Sequence, residues 1–571
     1  MGIKLNSKKR SFLPLTISLE NWEDIKSFYE ELQQRQINSA EDQHTWLADR
    51  SEIDAFVSED IAWRYIKFTC NTLDEDIKKR YDYFINEIQP HLAPISDQLN
   101  RKFIDFYNVE SAPSEAYQIL YRSIKNSIEL FREKNIPLYT TIANEGQKYA
   151  RITSKMMIEH EGAELTLQQA AAFLENPDRE IRKQVFDKVV DARLKDAAEI
   201  DELYSTLVKL RQEVAENASF SNFRDYKFID LDRFDYSIED NLEFHNSIRD
   251  EIVPLIKLIQ ERRLNLMDVK ELRPYDNDAP IPGELRITAF EQVDELVDKT
   301  ITGFNNLGFN LGEYIGIMKS NGFLDLDSRK GKAPGGYNYP LAETGIPFIF
   351  MNATGRQRDL VTMMHEGGHA IHSFVSRDLE LTYFKHTPSE VAELASMSME
   401  LISMDQWKVF YKDEKEFKQA VHKHLEDILM VLPWVAIIDK FQHWVYTHPT
   451  HSITERDEEW MSILKEFGTG IVNYDGYEEY LKKSWQKQLH LFEIPFYYIE
   501  YAIAQLGAIA VWKNYKQNKE QGLNSYMEAL KLGYTKSIPE IYKTAGINFS
   551  FSKSHLKELA NFVREEISKY E

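Results

Sequence analysis

Apolar residues recur every three or four positions along most of this chain, with charged residues between them. Near the N-terminus, Trp22, Ile25, Phe28 or Tyr29, and Leu32 follow this spacing. An α-helix turns once in about 3.6 residues, so such a stripe lines one helix face and favours its burial. The pattern predicts helix for most of the sequence.

Helix boundaries are also recognisable. Thr166 followed by Gln169 is typical of a capping box and predicts a helix over the alanine-rich run to Leu174. In residues 179–214 the apolar repeat continues among long charged side chains, which predicts further helix. We interpret these stripes as core-facing surfaces and not as binding sites.

Strand signals are few. Residues 149–158 partly alternate, and residues 348–351 form a short apolar run between Pro347 and Gly355. Residues 330–347 are rich in glycine and proline and predict a loop. We therefore predict a mainly α-helical protein with one small β-sheet.

Charge and cysteine content narrow the function classes. The 571 residues hold 92 acidic and 69 basic side chains, a formal net charge of -23. This balance argues against nucleic acid or an anionic membrane as partner, because phosphate contacts need clustered Lys and Arg. Cys70 is the single cysteine, so no intramolecular disulfide forms. The N-terminus lacks the apolar run of a signal peptide, and no stretch approaches the ~20 apolar residues of a membrane span. We expect a soluble cytoplasmic protein.

The strongest chemical signal is the sequence HEGGH at residues 365–369. On a helix, His365 and His369 share a face and can bind one metal ion, and Glu366 lies about 100° around the axis beside it. Zinc would lower the pKa of a water molecule there, and Glu366 could take its proton and return it to the leaving amine. Gly367 and Gly368 each cost about 1 kcal/mol in a helix, so we expect another element to pack closely against the backbone there.

A catalytic zinc needs a third protein ligand. The segment that follows predicts a second helix on which Glu393, Ser396 and Glu400 share one face. Glu390 is a rival ligand to Glu393, and spacing alone leaves the choice open.

At this point the sequence resembles oligoendopeptidase F and its relatives in the thimet oligopeptidase family of zinc peptidases. The resemblance is carried by HEGGHAIH at 365–372, AELASMSME at 392–400, APGGY at 333–337, PFIFMN at 347–352 and residues 490–507. It covers residues 179–551, which predicts a helical region over 1–178 and a zinc peptidase domain over 179–571. It implies one zinc ion per chain, with Glu393 as its third ligand.

The resemblance implies further site residues. Asp359, His372 and Glu400 would orient the metal ligands. His490 and Tyr501 would contact the substrate carbonyl, and Tyr498 would share the face of Tyr501, although the register of Tyr497 against Tyr498 is open.

The same resemblance implies a two-lobed helical protein with a deep substrate channel that admits short peptides. The segment Gly335, Gly336 and Tyr337 is interpreted as a loop that closes over substrate. Residues 348–352 are interpreted as a sheet edge with which an extended peptide could pair.

The predicted activity is endopeptidase cleavage of short unstructured peptides, without an obligate protein partner. A metallocarboxypeptidase is the first alternative, with Arg356 and Arg358 as candidates for capture of the terminal carboxylate. A non-enzymatic peptide-binding protein of the same fold is the second. Cobalt or manganese as the working metal stays open.

Overall fold

The computed structural model describes residues 10–284 and 287–570, and these residues are mainly α-helical. This confirms the predicted fold class. In chain order the first helices are α1 (Glu23–Gln34), α2 (Ala40–Cys70), α3 (Glu75–Tyr83), α4 (Gln89–Phe106), α5 (Glu115–Leu130), α6 (Ile136–Thr153), α7 (Leu167–Leu174), α8 (Arg179–Lys195), α9 (Ala197–Asn217), α10 (Phe223–Asp230), α11 (Ile238–Ser247) and α12 (Val253–Met267). The remaining helices are α13 (Val293–Leu307), α14 (Leu311–Asn321), α15 (Gln357–Ser376), α16 (Ser389–Ser403), α17 (Glu414–Thr447), α18 (Ile453–Glu466), α19 (Glu478–Lys482), α20 (His490–Glu493), α21 (Ile499–Gln517), α22 (Lys519–Lys531), α23 (Ile538–Thr544) and α24 (Lys553–Ile567).

Two compact units make up the chain, and each draws on three separate stretches of sequence. The first unit comprises Met1–Glu129, Ile287–Val421 and Ala504–Phe549. The second comprises Leu130–Arg286, His422–Ile503 and Ser550–Glu571. The predicted division into a helical region over 1–178 and a peptidase domain over 179–571 was based on sequence resemblance and not on packing. It stays a prediction.

Local sequence signals are reproduced with some differences. Thr166 and Gln169 form the capping box of α7, and Ile25, Tyr29 and Leu32 form the buried face of α1. Residues 179–214 are two helices, α8 and α9, that meet at Asp196.

The partial alternation in residues 149–158 predicted a strand, and this prediction is wrong for most of the segment. Tyr149 and Ile152 lie one turn apart on the buried face of α6. A strand, β1 (Met157–His160), begins only at the end of this segment and pairs antiparallel with β2 (Ala163–Thr166). The prediction of a single sheet missed this hairpin, which lies in the second unit.

The predicted apolar strand lies in the sheet of the first unit. This sheet contains β3 (Leu324–Asp327), β4 (Tyr337–Tyr339) and β5 (Phe348–Ala353) in the spatial order β3-β5-β4. β5 is parallel to β3 and antiparallel to β4. Phe348 and Phe350 pack against Ala62 and Ile66 of α2.

β5 is therefore the central strand, and the interpretation of residues 348–352 as a sheet edge is wrong. Ile349 and Phe350 pair with β3 on one side and with β4 on the other, so their main-chain groups are not available to an added peptide. β5 is also almost entirely buried. The outer strands of this sheet are β3 and β4, and residues 337–339 of the predicted loop belong to β4.

Two adjacent glycines of α15 allow α16 and α13 to pack closely against its backbone. A Cβ atom at Gly368 would lie 2.7 Å from Cα of Ser396 and 2.9 Å from the carbonyl oxygen of Ala395. A Cβ atom at Gly367 would lie 2.8 Å from the ring of Phe304 on α13. The close approach expected from the paired glycines is thus present on both sides of α15.

The last segment of the first unit also contacts α16. The hydroxyl of Tyr526 donates to the carbonyl oxygen of Ala395 at 2.7 Å, and that of Tyr542 donates to the carbonyl oxygen of Glu390 at 3.1 Å. Both tyrosine side chains are buried. A buried hydroxyl needs such an acceptor, so these bonds fix the position of α16.

α17 is the one helix among the described residues that is long and apolar enough to cross a membrane by length and composition. Of its most apolar window, 72% is buried inside the protein. A core helix passes the same test.

We predict that Gly368→Ala destabilises the protein by about 1–3 kcal/mol, because the added methyl group meets the backbone of α16 and forces the two helices apart. The matched control is Gly316→Ala in α14, where a Cβ atom has nothing within 4 Å. That change should be neutral or stabilising by about 0.5–1 kcal/mol. Urea unfolding of both variants measures the difference, and equal stabilities would contradict the prediction.

Candidate metal centre

His365, Glu366 and His369 all lie on α15 in the first unit. The helix begins where it does because Asp359 caps it: its Oδ2 accepts hydrogen bonds from the backbone N–H groups of Thr354 at 2.7 Å and Arg356 at 3.0 Å. Asp359 was expected to orient a metal ligand, and here it fixes the first turn of the helix that carries two of them.

The candidate ligand atoms of His365, His369 and Glu393 lie within 4.8 Å of one another. Oε2 of Glu393 on α16 is 3.3 Å from Nε2 of His365 and 3.7 Å from Nε2 of His369. Tetrahedral zinc, about 2.0–2.2 Å from each ligand, keeps ligand atoms about 3.3 Å apart. Two imidazoles and one carboxylate at this spacing fit a catalytic zinc ion.

Hydrogen bonds orient two of these ligands. Nδ1 of His365 donates to Oε1 of Glu400 at 2.6 Å, which leaves Nε2 as the nitrogen on which a metal ion would replace the second proton. Oγ of Ser396 donates to Oε2 of Glu393 at 3.1 Å. Glu393, Ser396 and Glu400 thus act from one face of α16.

The protonation states of the cluster follow from burial and mutual contact. Burial opposes the charge on Glu393, but hydrogen bonding to His365 holds the pKa of Glu393 down at about 2. Burial lowers the pKa of His369 to about 4. Burial also disfavours protonated His365, but hydrogen bonds with Glu393 and Glu400 raise its pKa well above the usual value. An anionic Glu393 beside a neutral His369 suits a divalent cation, whose binding would release the proton from His365.

Glu366 lies beside the cluster and is not one of its candidate ligands. Its side chain is buried, and burial raises the pKa of Glu366 to about 7, although His365 lowers it. Nδ2 of Asn338, in β4, donates to the carbonyl oxygen of Glu366 at 3.3 Å and joins α15 to the sheet. A carboxylate of this pKa can both accept and return a proton near neutral pH.

Other predicted residues lie outside the cluster. His372 is buried on α15, burial lowers its pKa to about 3, and its Nε2 has no hydrogen-bond partner in the described ranges. Gly335 and Gly336 precede β4, and the hydroxyl of Tyr337 is 2.6 Å from Oγ1 of Thr69. The ring of Tyr337 stacks on Phe350 with a centroid distance of 4.8 Å, so the structure holds this side chain in the sheet.

His490, Tyr498 and Tyr501 gather in one aromatic cluster in the second unit. The His490 ring centroid is 4.7 Å from that of Tyr498 and 5.9 Å from that of Tyr501, and 6.4 Å from that of Tyr497. His490 begins α20, and Tyr501 lies in the first turn of α21. Their roles in catalysis stay predictions.

A second group of candidate metal ligands, missed in the sequence, lies in the second unit. His245 of α11 and Asp439 and His443 of α17 are all buried. Nε2 of His245 is 2.8 Å from Oδ2 of Asp439, a hydrogen-bond distance shorter than the spacing between zinc ligands. His443 follows Asp439 by one turn, but His245 lies so far away in sequence that only the fold brings it there.

The cationic candidates of the carboxypeptidase alternative lie at the start of α15. Arg356 and Arg358 are exposed. Arg358 precedes His365 by seven residues, which is about 10 Å along a helix axis.

Comparisons with known proteins agree with this arrangement. The model of "Peptidase family M3" matches residues 172–280 and 315–561, and that of "Peptidase M3 N-terminal domain" matches residues 12–131. The chain belongs to peptidase family M3. Membership implies metallopeptidase activity on peptides, and the resemblance found in the sequence is confirmed.

Relatives and solved structures of the M3 family extend over most of the chain. "Oligopeptidase PepF" of Bacillus subtilis (strain 168) is 23% identical over 84% of this chain and 67% of its own length. An "Oligoendopeptidase F homolog" of Borreliella burgdorferi is 23% identical over 80% of this chain and 77% of its own. The structure described as "PZ PEPTIDASE A with inhibitor 2" is 26% identical, with a TM-score of 0.88 over 98% of this chain and 99% of that one. A second structure, described as "putative Oligoendopeptidase F", is 26% identical, with a TM-score of 0.87 over 97% of this chain and 98% of that one.

We predict that Glu393→Gln removes metal binding and that Glu390→Gln retains it, which decides between the two acids weighed in the sequence. Loss of a residue that only hydrogen-bonds to a ligand weakens metal binding by about 10–100-fold. Loss of a ligand itself should weaken metal binding by more than this. The measurement is metal content after zinc loading and desalting, with circular dichroism as the folding control. Retention of zinc by Glu393→Gln and loss by Glu390→Gln would reverse the assignment.

Proposed function

We propose that this M3 peptidase is a cytoplasmic zinc endopeptidase that hydrolyses internal bonds of short unstructured peptides. The proposal is carried by one observation: three ligand-type atoms at zinc-ligand spacing beside a buried carboxylate that is not a ligand. The names of these relatives, oligopeptidase and oligoendopeptidase, support peptides as the substrate class.

His365, His369 and Glu393 would hold one zinc ion. When bound, the metal supplies a Lewis acid that polarises the scissile carbonyl and lowers the pKa of water. Glu400 and Ser396 hold the ligands in the required orientation, which saves reorganisation when the metal binds.

Glu366 is the proposed general base and then general acid. It takes a proton from the attacking water at its carboxylate and delivers that proton to the leaving nitrogen. Burial supports this role, because a carboxylate removed from bulk water holds a proton at a pH where an exposed one would not.

Tyr501 and His490 are the proposed donors to the carbonyl oxygen as it gains negative charge. A phenol O–H and an imidazole N–H are both suited to this task, and the ring contacts of the aromatic cluster limit their movement. Tyr498 is the proposed third contact of this group.

We expect Glu366→Gln to lower kcat/KM by about 10²–10⁴-fold, because the amide cannot accept the proton of water. Zinc content should stay near that of the wild type, since Glu366 is not a ligand. The assay is mass-spectrometric product analysis on unstructured peptides of about five to thirty residues, a span that brackets enclosed sites. A chelated wild-type sample runs in parallel.

Each result of this assay separates the candidates. Internal cuts in the shorter peptides, lost in both controls, support the endopeptidase. Stepwise loss of C-terminal residues would support the carboxypeptidase alternative. Absence of any cleavage with zinc bound would contradict the proposed function and favour a peptide-binding protein.

Tyr501→Phe should lower kcat by about 10²–10³-fold with little change in KM, because the lost hydroxyl acts only as the oxyanion forms. Tyr497→Phe and Tyr498→Phe serve as matched variants: Tyr498→Phe should weaken catalysis or binding, and Tyr497→Phe should change little. Steady-state kinetics on one cleaved peptide makes the comparison. A larger effect at Tyr497 would shift the register by one residue, and an inert Tyr501→Phe would remove Tyr501 from the site.

A further inference from the structure

A chain of hydrogen bonds in the second unit ends on His490. Nε1 of Trp434 in α17 is 2.9 Å from Oε1 of Gln488, and Nε2 of Gln488 is 2.7 Å from Nδ1 of His490. Trp434, Gln488 and His490 are all half-buried. Neither Trp434 nor Gln488 belongs to the residues that carry the family resemblance.

The direction of every bond in this chain follows from Trp434. An indole N–H can only donate, so the end of the Gln488 amide that faces it must be the carbonyl oxygen. The NH₂ end therefore faces His490, and because NH₂ can only donate, Nδ1 of His490 must accept. On a neutral imidazole the proton then sits on Nε2.

Neighbouring contacts reinforce this orientation. Burial raises the pKa of Tyr498 to about 12, while a hydrogen bond with Gln488 lowers it, so the same amide also binds the Tyr498 hydroxyl. Nζ of Lys487 lies 4.2 Å from the ring centroid of Trp434 and adds a cation–π contact to the indole. These contacts restrain both the amide and the indole that sets its direction.

His490 is also held neutral. Burial lowers its pKa, and the rings that face it are those of Tyr497, Tyr498 and Tyr501. A neutral ring with an accepting Nδ1 presents one N–H, on Nε2.

We propose that Trp434 and Gln488 are positioning residues that lock His490 as the Nε2–H tautomer and so make it a hydrogen-bond donor to the substrate carbonyl oxygen. The donor role rests on the proposed function, whereas the tautomer does not depend on it. Without the lock, the neutral ring would divide between two tautomers, and the one protonated on Nδ1 would turn a lone pair towards the oxyanion.

The decisive measurement is the ¹⁵N spectrum of the His490 ring in histidine-labelled, full-length protein, assigned by loss of its signals in His490→Gln. Wild-type protein should show an unprotonated Nδ1 and a protonated Nε2. Trp434→Phe removes the donor that orients the amide, so His490 should become a mixture of tautomers. Trp444→Phe is the matched control on α17: Trp444 stacks on His448 with a centroid distance of 4.9 Å, and its replacement should leave the His490 signals unchanged.

A second variant reverses the bond instead of removing it. Gln488→Glu keeps an acceptor for Trp434 but turns an acceptor towards Nδ1, so Nδ1 should become protonated and the His490 pKa should rise. The pH dependence of kcat/KM should then gain an ionisation that wild-type protein lacks near neutral pH. A purely structural role for Gln488 would not move this profile.

Kinetics connect the tautomer to catalysis. Trp434→Phe should lower kcat by about tenfold with KM within about twofold, a fraction of the 10²–10³-fold that loss of a whole oxyanion donor costs. A wild-type ring protonated on Nδ1, or a Trp434→Phe ring unchanged from wild type, would overturn the lock. A changed tautomer with unchanged kcat would overturn the donor role of His490, while continued cleavage would leave the zinc peptidase assignment intact.

Discussion

The close contact between α15 and α16 is the constraint on which the candidate metal centre depends. His365 and His369 come from one helix and Glu393 from the other, so the ligand spacing is set by the distance between the two helix axes. Gly368 allows that distance because it brings no side chain against Ser396 and Ala395. Any larger residue would move Glu393 and Glu400 together, since both lie on α16. The cost of glycine in a helix is thus offset by ligand geometry.

The sequence predicted those features that depend on local spacing. The helix with His365 and His369, the cap at Thr166 and the apolar strand β5 all follow from residues within a few positions of one another. The choice of Glu393 needed the family resemblance, because spacing on α16 also allowed Glu390. The central position of β5 and the group of His245 with Asp439 depend on strands and helices far apart in sequence. No local periodicity encodes such pairings, and so these were misjudged or missed.

Two histidines of this chain show how the hydrogen-bond partner of an imidazole suits the ring to one task or another. At His365 the partner of Nδ1 is the carboxylate of Glu400, an acceptor, so a proton stays on Nδ1 and Nε2 is the nitrogen left for a metal ion. At His490 the partner is the amide of Gln488, whose NH₂ end donates, so the proton sits on the other nitrogen. A ligand needs the first state and an oxyanion donor needs the second. The residue that is hydrogen-bonded to Nδ1 therefore decides the chemistry of each ring.

The segmented build of the first unit has a consequence during protein synthesis. Tyr526 and Tyr542, which hold α16 through Ala395 and Glu390, belong to a stretch that leaves the ribosome more than a hundred residues after the helix they support. A nascent chain that has made α15 and α16 has both halves of the candidate metal centre but not the tyrosines that support α16. The unit can complete its core only after its last stretch, Ala504–Phe549, has emerged. The order of translation thereby delays the competent peptidase until this stretch has been made.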